Sequence, residues 1–390
     1  MSHKHSTVAL VEERGAPRLA AGATFSDDHA PEPPRPFTLW RPSQFLAWTA
    51  PVDAAILGDN LLESGKWLSL VGIGGLGKTR LAIRLAIAQI LGRLWCGLPT
   101  YTPPRKWIIL SSENGIRRWK DELGKMLARL SPDEAALVDA HVLILAMTDD
   151  EDGDLNAGNV ESMARLGVTL EMESPGALIL DPWADVVAGD ENKTADVILT
   201  LRKLRAVVRK SAPSAAVVIV HHGRTGAANI IQAGDAYNAG NFGRGGKALY
   251  SAVRAEIQLA PGQKDDDRRL VLACGKNSDG PKFKTRGLLF DPEAMDYTVD
   301  PEFDVDAWRN DVEGKSRGQS ISIADVVEAV RGLCPAPGDQ TKVGAIVEDL
   351  SGLGSDRTIK RRLSEAVRAS YLRNGDVRGT YRLGSKPLPK

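Results

Sequence analysis

Gly72-Ile73-Gly74-Gly75-Leu76-Gly77-Lys78-Thr79 spells G-x-x-x-x-G-K-[ST], the pattern of a phosphate-binding loop. Its surroundings are those such a loop requires. Trp67-Leu68-Ser69-Leu70-Val71 before it is a short apolar run that reads as a buried strand. Arg80 to Ala88 after it is rich in good helix formers. Glycines let the backbone wrap close to a polyphosphate, so that Gly72, Gly74, Gly75, Leu76, Gly77, Lys78, Thr79 and Arg80 form the expected nucleotide-binding set. Lys78 is placed to reach the β- and γ-phosphates of ATP, and the Thr79 hydroxyl to ligate Mg²⁺.

Outward from this loop, strands and helices alternate. Trp107–Ser112 is a second strand, ending in Glu113, and a helix is expected from about 117 to 130. His141–Leu145 is a further strand, followed by the acidic run Asp149–Asp154, which lacks the alternation of a calcium loop and reads as a solvated surface. Ala177–Leu180 is a buried strand with Asp181 at its end, and a helix from about Lys193 to Lys210 leads to Ala216–Val220, which ends in His221 and His222. This order predicts an α/β fold with a mostly parallel sheet covered on both faces. Residues 223–246 are rich in glycine and asparagine, a long loop of the kind that is either functional or disordered. Three more strands are expected at Arg254–Leu259, Leu270–Cys274 and Arg286–Phe290.

The flanks differ from this core. Residues 1–36 end in a proline-rich run and read as a disordered tail or docking arm, and Pro42–Trp48 as a short helix. The core is expected over 37–300, a polar linker over 301–319, and a second unit over 320–385. That unit shows helices at Ile321–Leu333, Thr341–Leu350 and from Ser355 to about Leu372, then a hairpin signal at Asn374-Gly375 and a strand at Arg378–Leu383, the plan of a small winged helix. Ten basic residues face three acidic ones over 355–390, whereas the 390-residue chain has 50 of each and no net charge. Arg357, Lys360, Arg361 and Arg362 are therefore candidates for phosphates or base edges of duplex DNA, although such modules also dock proteins. Cys96, Cys274 and Cys334 are too few and too scattered for a disulfide framework or zinc site and fit a reducing cytoplasm. No apolar stretch is long enough for a membrane span or signal peptide.

Asp181 is placed to hold Mg²⁺ together with Thr79, and Glu113 to activate water, two strand-end carboxylates dividing the labour. His221 and His222 either sense the γ-phosphate and inform the glycine-rich loop, or are buried structural histidines. Lys276 either acts across a subunit boundary as arginine fingers do, or is a solvated turn lysine.

GIGGLGKT, the SSEN strand end, LILD and VIVHH, in this order over roughly 40–292, resemble the RecA-type core of hexameric replicative helicases, above all the RepA-like helicase ATPases of plasmids and mobile elements. The resemblance implies a hexameric ring, ATP between neighbouring subunits, and loops around a channel for single-stranded DNA. It implies Glu113 as the catalytic base, His221 in the sensor position, and Arg244 as the basic residue after the channel loop. The Lys276–Pro281 turn resembles the family's K-x-R-x-G-P finger turn, but Ser278 stands in the arginine slot, leaving Lys276 as the matching cation. The expected activity is DNA-dependent ATP hydrolysis, with DNA unwinding in replication. The rival is a regulatory or recombination ATPase that uses ATP as an assembly switch.

Overall fold

The computed structural model describes residues 37–145, 155–226, 230, 232–234, 239–244, 247–263, 266–316, 321–336, 338–350 and 356–386. It divides into two compact units, Met1–Ala50 and Pro51–Lys390. In the first, Pro at the first helical position and the Arg41 amide donating to Gln44 Oε1 (2.8 Å) start helix α1, Pro42–Ala47. Its aromatic residues Phe45 and neighbouring Trp40 and Trp48 are all exposed.

The second unit opens with a hairpin of β1 (Ala55–Leu57) and β2 (Leu62–Glu63) and is built on a nine-stranded sheet. At its centre lies β3, Trp67–Gly72, every residue of which is buried. Apolar residues on both of its faces explain this: Leu68 and Leu70 join the core on one side, Trp67 the core on the other. Helices α2 (Lys78–Ile90), α3 (Ile116–Leu127) and α4 (Pro132–His141) supply the first core. Helices α5 (Val160–Glu173), α6 (Trp183–Val186) and α7 (Thr194–Ser211) supply the second.

Running from one edge, the parallel strands are β5 (Val142–Ile144), β4 (Trp107–Ser111), β6 (Ala177–Asp181), β7 (Ala216–His222), β3 and β8 (Ala255–Gln263). A short helix α8, Ala248–Ala252, precedes β8. Then β9 (Asp266–Asn277), β10 (Arg286–Asp291) and β11 (Asp296–Asp300) continue as an antiparallel meander. The mostly parallel α/β core expected from sequence is thus present. The strand carrying Asp181 is separated from the phosphate-loop strand by β7, which places His221 and His222 between them.

Several segments depart from expectation. Within the expected linker, α9, Val305–Ser316, buries Trp308 and Val312 against Val71, Ala260 and Val271 of the sheet, and residues 317–319 lie outside the described residues. Helices α4 and α5 occupy stretches that the apolar spacing left unassigned. Ser131 and Glu134 form the capping box that starts α4, and Asn159 caps α5. The acidic run 149–154 lies outside the described residues, as do 1–36.

Beyond α9 the order is α10 (Ile323–Leu333), β12 (Thr341–Lys342), α11 (Val343–Asp349), α12 (Asp356–Arg368), β13 (Leu372–Asn374) and β14 (Thr380–Leu383). The three short strands form their own antiparallel sheet, ordered β12-β14-β13, and the helices enclose a separate core around Val326, Val330, Ile346, Ile359 and Leu363. Thr341–Leu350, expected to be all helix, begins with two residues of strand.

Candidate functional site

The loop between β3 and α2 depends on backbone that only glycine adopts readily: Gly75 sits at φ +82° and Gly77 at φ +80°. A Cβ on Gly74 or Gly75 would meet nothing within 4 Å, so no protein atom fills the space before them. Behind the loop, Tyr297 Oη donates to the Gly77 carbonyl at 3.1 Å. Arg80, the last residue of the expected set, bonds Glu122 Oε1 at 3.1 Å and lies over the Phe290 ring at 4.9 Å. Its guanidinium is therefore part of the wall behind the loop.

The Lys78 ammonium donates to the Ile73 carbonyl at 2.9 Å and lies 3.5 Å from His222 Nδ1. Burial pulls its pKa down to about 8, against the opposing fields of Asp181 and Glu113. Thr79 Oγ1 donates to Asp181 Oδ2 at 2.6 Å, and Ser111 Oγ lies 3.4 Å from the same oxygen. Desolvation raises the Asp181 carboxyl to about 6. On the other side of Lys78, His222 Nε2 is 3.5 Å from Glu113 Oε1.

The two histidines diverge as successive strand residues must. The sequence singled out His221, but it is His222 that stands between Lys78 and Glu113. His221 is 4 % exposed; its Nε2 is 3.0 Å from the Arg244 carbonyl, and its Nδ1 has no hydrogen-bond partner, with Glu191 Oε2 at 3.9 Å. Burial holds its pKa at about 4, so the ring is neutral at pH 7. The two readings of the His pair therefore separate by residue: His222 faces the loop's lysine, and His221 faces the glycine-rich segment.

Two expected cations are committed elsewhere. Lys276 Nζ donates to the carbonyls of Tyr250 (2.7 Å), Ser251 (3.3 Å) and Val253 (2.8 Å), capping the end of α8, and lies over the Tyr250 ring. It is neither a solvated turn lysine nor a cation held out toward a neighbour. Arg362 donates to the Ile321 carbonyl at 2.8 Å and to Glu365 at 2.7 Å, which makes it a strut inside the C-terminal unit. Lys360 is exposed, Arg361 is 61 % exposed beside Glu365, and Arg244 is exposed. Nothing is described of the Arg357 side chain.

The residues suit a magnesium nucleotide. Mg²⁺ takes oxygen ligands, keeps several waters, and needs only one or two protein groups beside the phosphates. Thr79 and Asp181 supply a hydroxyl and a carboxylate at bonding distance of each other, and the desolvated Asp181 carboxyl lacks a neighbouring cation other than Lys78. Beside the loop tip, Ile73 to Leu76, a cavity of about 670 Å³ is walled by Pro261, Leu270, Trp308 and Val312. Trp308 was hidden from sequence reading because its segment is highly charged.

A phosphate loop at the end of a central parallel strand, with a carboxylate strand one place removed, defines a P-loop ATPase. The family described as AAA domain matches residues 30–228, just over half of the chain, and the chain belongs to that family. No curated protein matches the sequence. Among solved structures, the chain is similar to a RadB recombinase at 15 % identity and TM-score 0.41, covering 61 % of this chain and 91 % of that one. It is also similar to a KaiC-like protein from the hyperthermophilic archaeon Pyrococcus horikoshii OT3 at 14 % identity and TM-score 0.43, covering 64 % and 98 %. Among the described residues, no helix is long and apolar enough to cross a membrane.

Proposed function

We propose that this protein is a DNA-dependent ATPase with a RecA-like core, working as a ring of subunits in the manner of RepA-like replicative helicases. The observation that carries this reading is the separation of the two carboxylates. Asp181 is bonded to Thr79 at 2.6 Å, whereas Glu113 has a different partner, His222, at 3.5 Å. Thr79 and Asp181 would hold Mg²⁺, which would neutralise charge on the phosphates. Glu113, 46 % exposed, accepts a proton from the attacking water, and His222 orients its carboxylate. Lys78 leaves the Ile73 carbonyl for the phosphates. His221 carries the state of the site to Arg244, whose own amide donates to the His222 carbonyl at 2.9 Å. Arg244 then meets single-stranded DNA in the channel.

The C-terminal unit is proposed as a winged helix, on the strength of its order helix–strand–helix–helix–strand–strand. Lys360, Arg361 and Arg357 on α12 are its duplex-facing candidates, while Arg362 serves the fold. One observation favours the second reading, an ATP-driven assembly switch without unwinding. Lys276 is tied to three carbonyls of its own subunit, so trans-stimulation of hydrolysis requires it to let go.

The test is steady-state ATP hydrolysis with and without single-stranded DNA, with Lys78→Ala as the blank. Stimulation on the order of tenfold or more, absent in the variant, is the expected result. Slow turnover indifferent to single strands, accompanied by an ATP-dependent change in assembly size, would leave the switch as the function.

A further inference from the structure

At the opposite end of β3 from the phosphate loop, about 17 Å away along the strand, lies a second concavity of about 340 Å³. Four cations line it: Lys66 and Arg254 from the starts of adjacent strands, and Arg205 and Arg209 one turn apart on α7. Among the described residues, no carboxylate lines it. Asp279, just outside, is shared between Lys66 at 3.6 Å and Arg254. Arg205 stacks over the Trp67 ring at 5.3 Å and donates one Nη to the Ala252 carbonyl at 2.6 Å. It lines the concavity together with Arg209, and burial followed by Arg209's charge keeps its pKa below the ordinary guanidinium range.

Gathering like charges costs free energy unless something offsets it. The negative end of α7 accounts for a cation or two in its last turn, Arg209 and Lys210. It does not account for Lys66 and Arg254, which arrive from the sheet. Nor does it account for the row that continues from the pocket. Arg202, Arg205 and Arg209 lie on one face of α7 at steps of three and four residues, rising about 4.5 and 6 Å along its axis. Arg202 and Arg209 are exposed. A single phosphate ion is small for a concavity of about 340 Å³ and leaves the row idle, whereas a strand with phosphates at regular intervals engages both.

From this we infer that the pocket of Lys66, Arg205, Arg209 and Arg254 binds the sugar–phosphate backbone of a nucleic acid, at the end of the sheet remote from ATP. This site is separate from Arg244 and from α12. It shares only the ligand class with the function proposed above and needs neither hydrolysis nor a ring.

The test uses the full chain without nucleotide and a fluorescein-labelled oligo(dT). Arg209→Glu is the informative variant, because Arg209 is exposed and its loss leaves the Arg205–Trp67 packing intact. The expected result is a loss of affinity on the order of fivefold and a salt dependence shallower by about 0.7 to 1 in logarithmic slope. Unchanged affinity and slope in Arg209→Glu would overturn the inference. A local readout comes from Ala206→Cys, exposed between Arg202 and Arg209, since all three native cysteines are buried. A photo-crosslinker on that cysteine should capture the oligonucleotide, and the capture should vanish when Arg209→Glu is added. Oligonucleotide bound but never captured there would sink this site alone, because DNA-stimulated hydrolysis is measured separately. Displacement of the oligonucleotide by equimolar inorganic phosphate would reduce the pocket to a small-anion site and likewise overturn it.

Discussion

The two ends of strand β3 treat charge in opposite ways. At the Gly72 end, one lysine sits within the fields of two carboxylates, Asp181 and Glu113, so opposite charges face one another. At the Trp67 end, four cations gather, and the one aspartate beside them pairs with Lys66 and Arg254 alone. The first end is poised, its groups holding one another until a ligand exchanges partners with them. The second is uncompensated, and a polyanion lowers its energy simply by arriving. Burial follows the same division: Lys78 and Asp181 are buried, whereas the Lys66 and Arg254 side chains are 42 % and 50 % exposed. Desolvation magnifies each interaction at the first end, and water and salt screen those at the second.

Removing a carboxylate from the poised end breaks the comparison most severely. Glu113→Gln should lower the turnover number by a factor of about 10² to 10⁴ while ATP affinity stays within a few-fold. Single-turnover hydrolysis alongside nucleotide binding checks this, and wild-type turnover in the variant would remove Glu113 from the chemistry.

Between the two ends lies Glu256, 3 % exposed, accepting from Gln258 at 2.7 Å and Ser69 at 3.1 Å. Burial pushes its carboxyl up to about 7, above the ordinary glutamate value, so the folded state holds the proton more tightly than the unfolded chain. Stability from this group is full below the unfolded pKa near 4.5 and is lost as pH rises through about 7. Glu256→Gln should therefore be nearly neutral at low pH and stabilising above about pH 8, by on the order of 3 kcal/mol. Urea midpoints across that range report it; parallel pH profiles for the two proteins would mean that Glu256 is ionised in the fold.

The smallest effect sharpens the comparison at Lys276. Lys276→Ala should cost about 1–2 kcal/mol through the three carbonyls it leaves at the end of α8. DNA-stimulated hydrolysis should stay within a few-fold of wild type. A collapse of stimulated hydrolysis with stability intact would instead make Lys276 the group that acts on a neighbour.

What was legible in the sequence was what is contiguous. The phosphate loop declares itself in eight successive residues, and Asp181 and Glu113 each end an apolar run that reads as a strand without knowledge of its neighbours. Helix α9 was hidden because Asp304, Asp306, Arg309 and Asp311 surround the apolar pair Trp308 and Val312, so composition outweighed spacing. The choice between His221 and His222 could not be made from a line of letters, since it depends on which face of β7 looks toward Lys78. Lys276 looked like a free turn residue because the carbonyls it binds come from a helix more than twenty positions earlier. The basic pocket was invisible for the same reason: Lys66, Arg205, Arg209 and Arg254 are scattered along a chain whose charges sum to zero.

The neighbouring histidines of β7 have a mechanical corollary. Both imidazoles hang from adjacent carbons of one rail, braced on either side by β3 and β6. Successive side chains of a strand point to opposite faces, so the two rings look to opposite sides of the sheet. His222 lies 3.5 Å from the Lys78 ammonium and His221 3.0 Å from the Arg244 carbonyl, so the two contacts are separated by a single peptide link. On the proposed function, a signal from nucleotide to Arg244 would have only one peptide link to cross, between two side chains that the pleat sends to opposite faces.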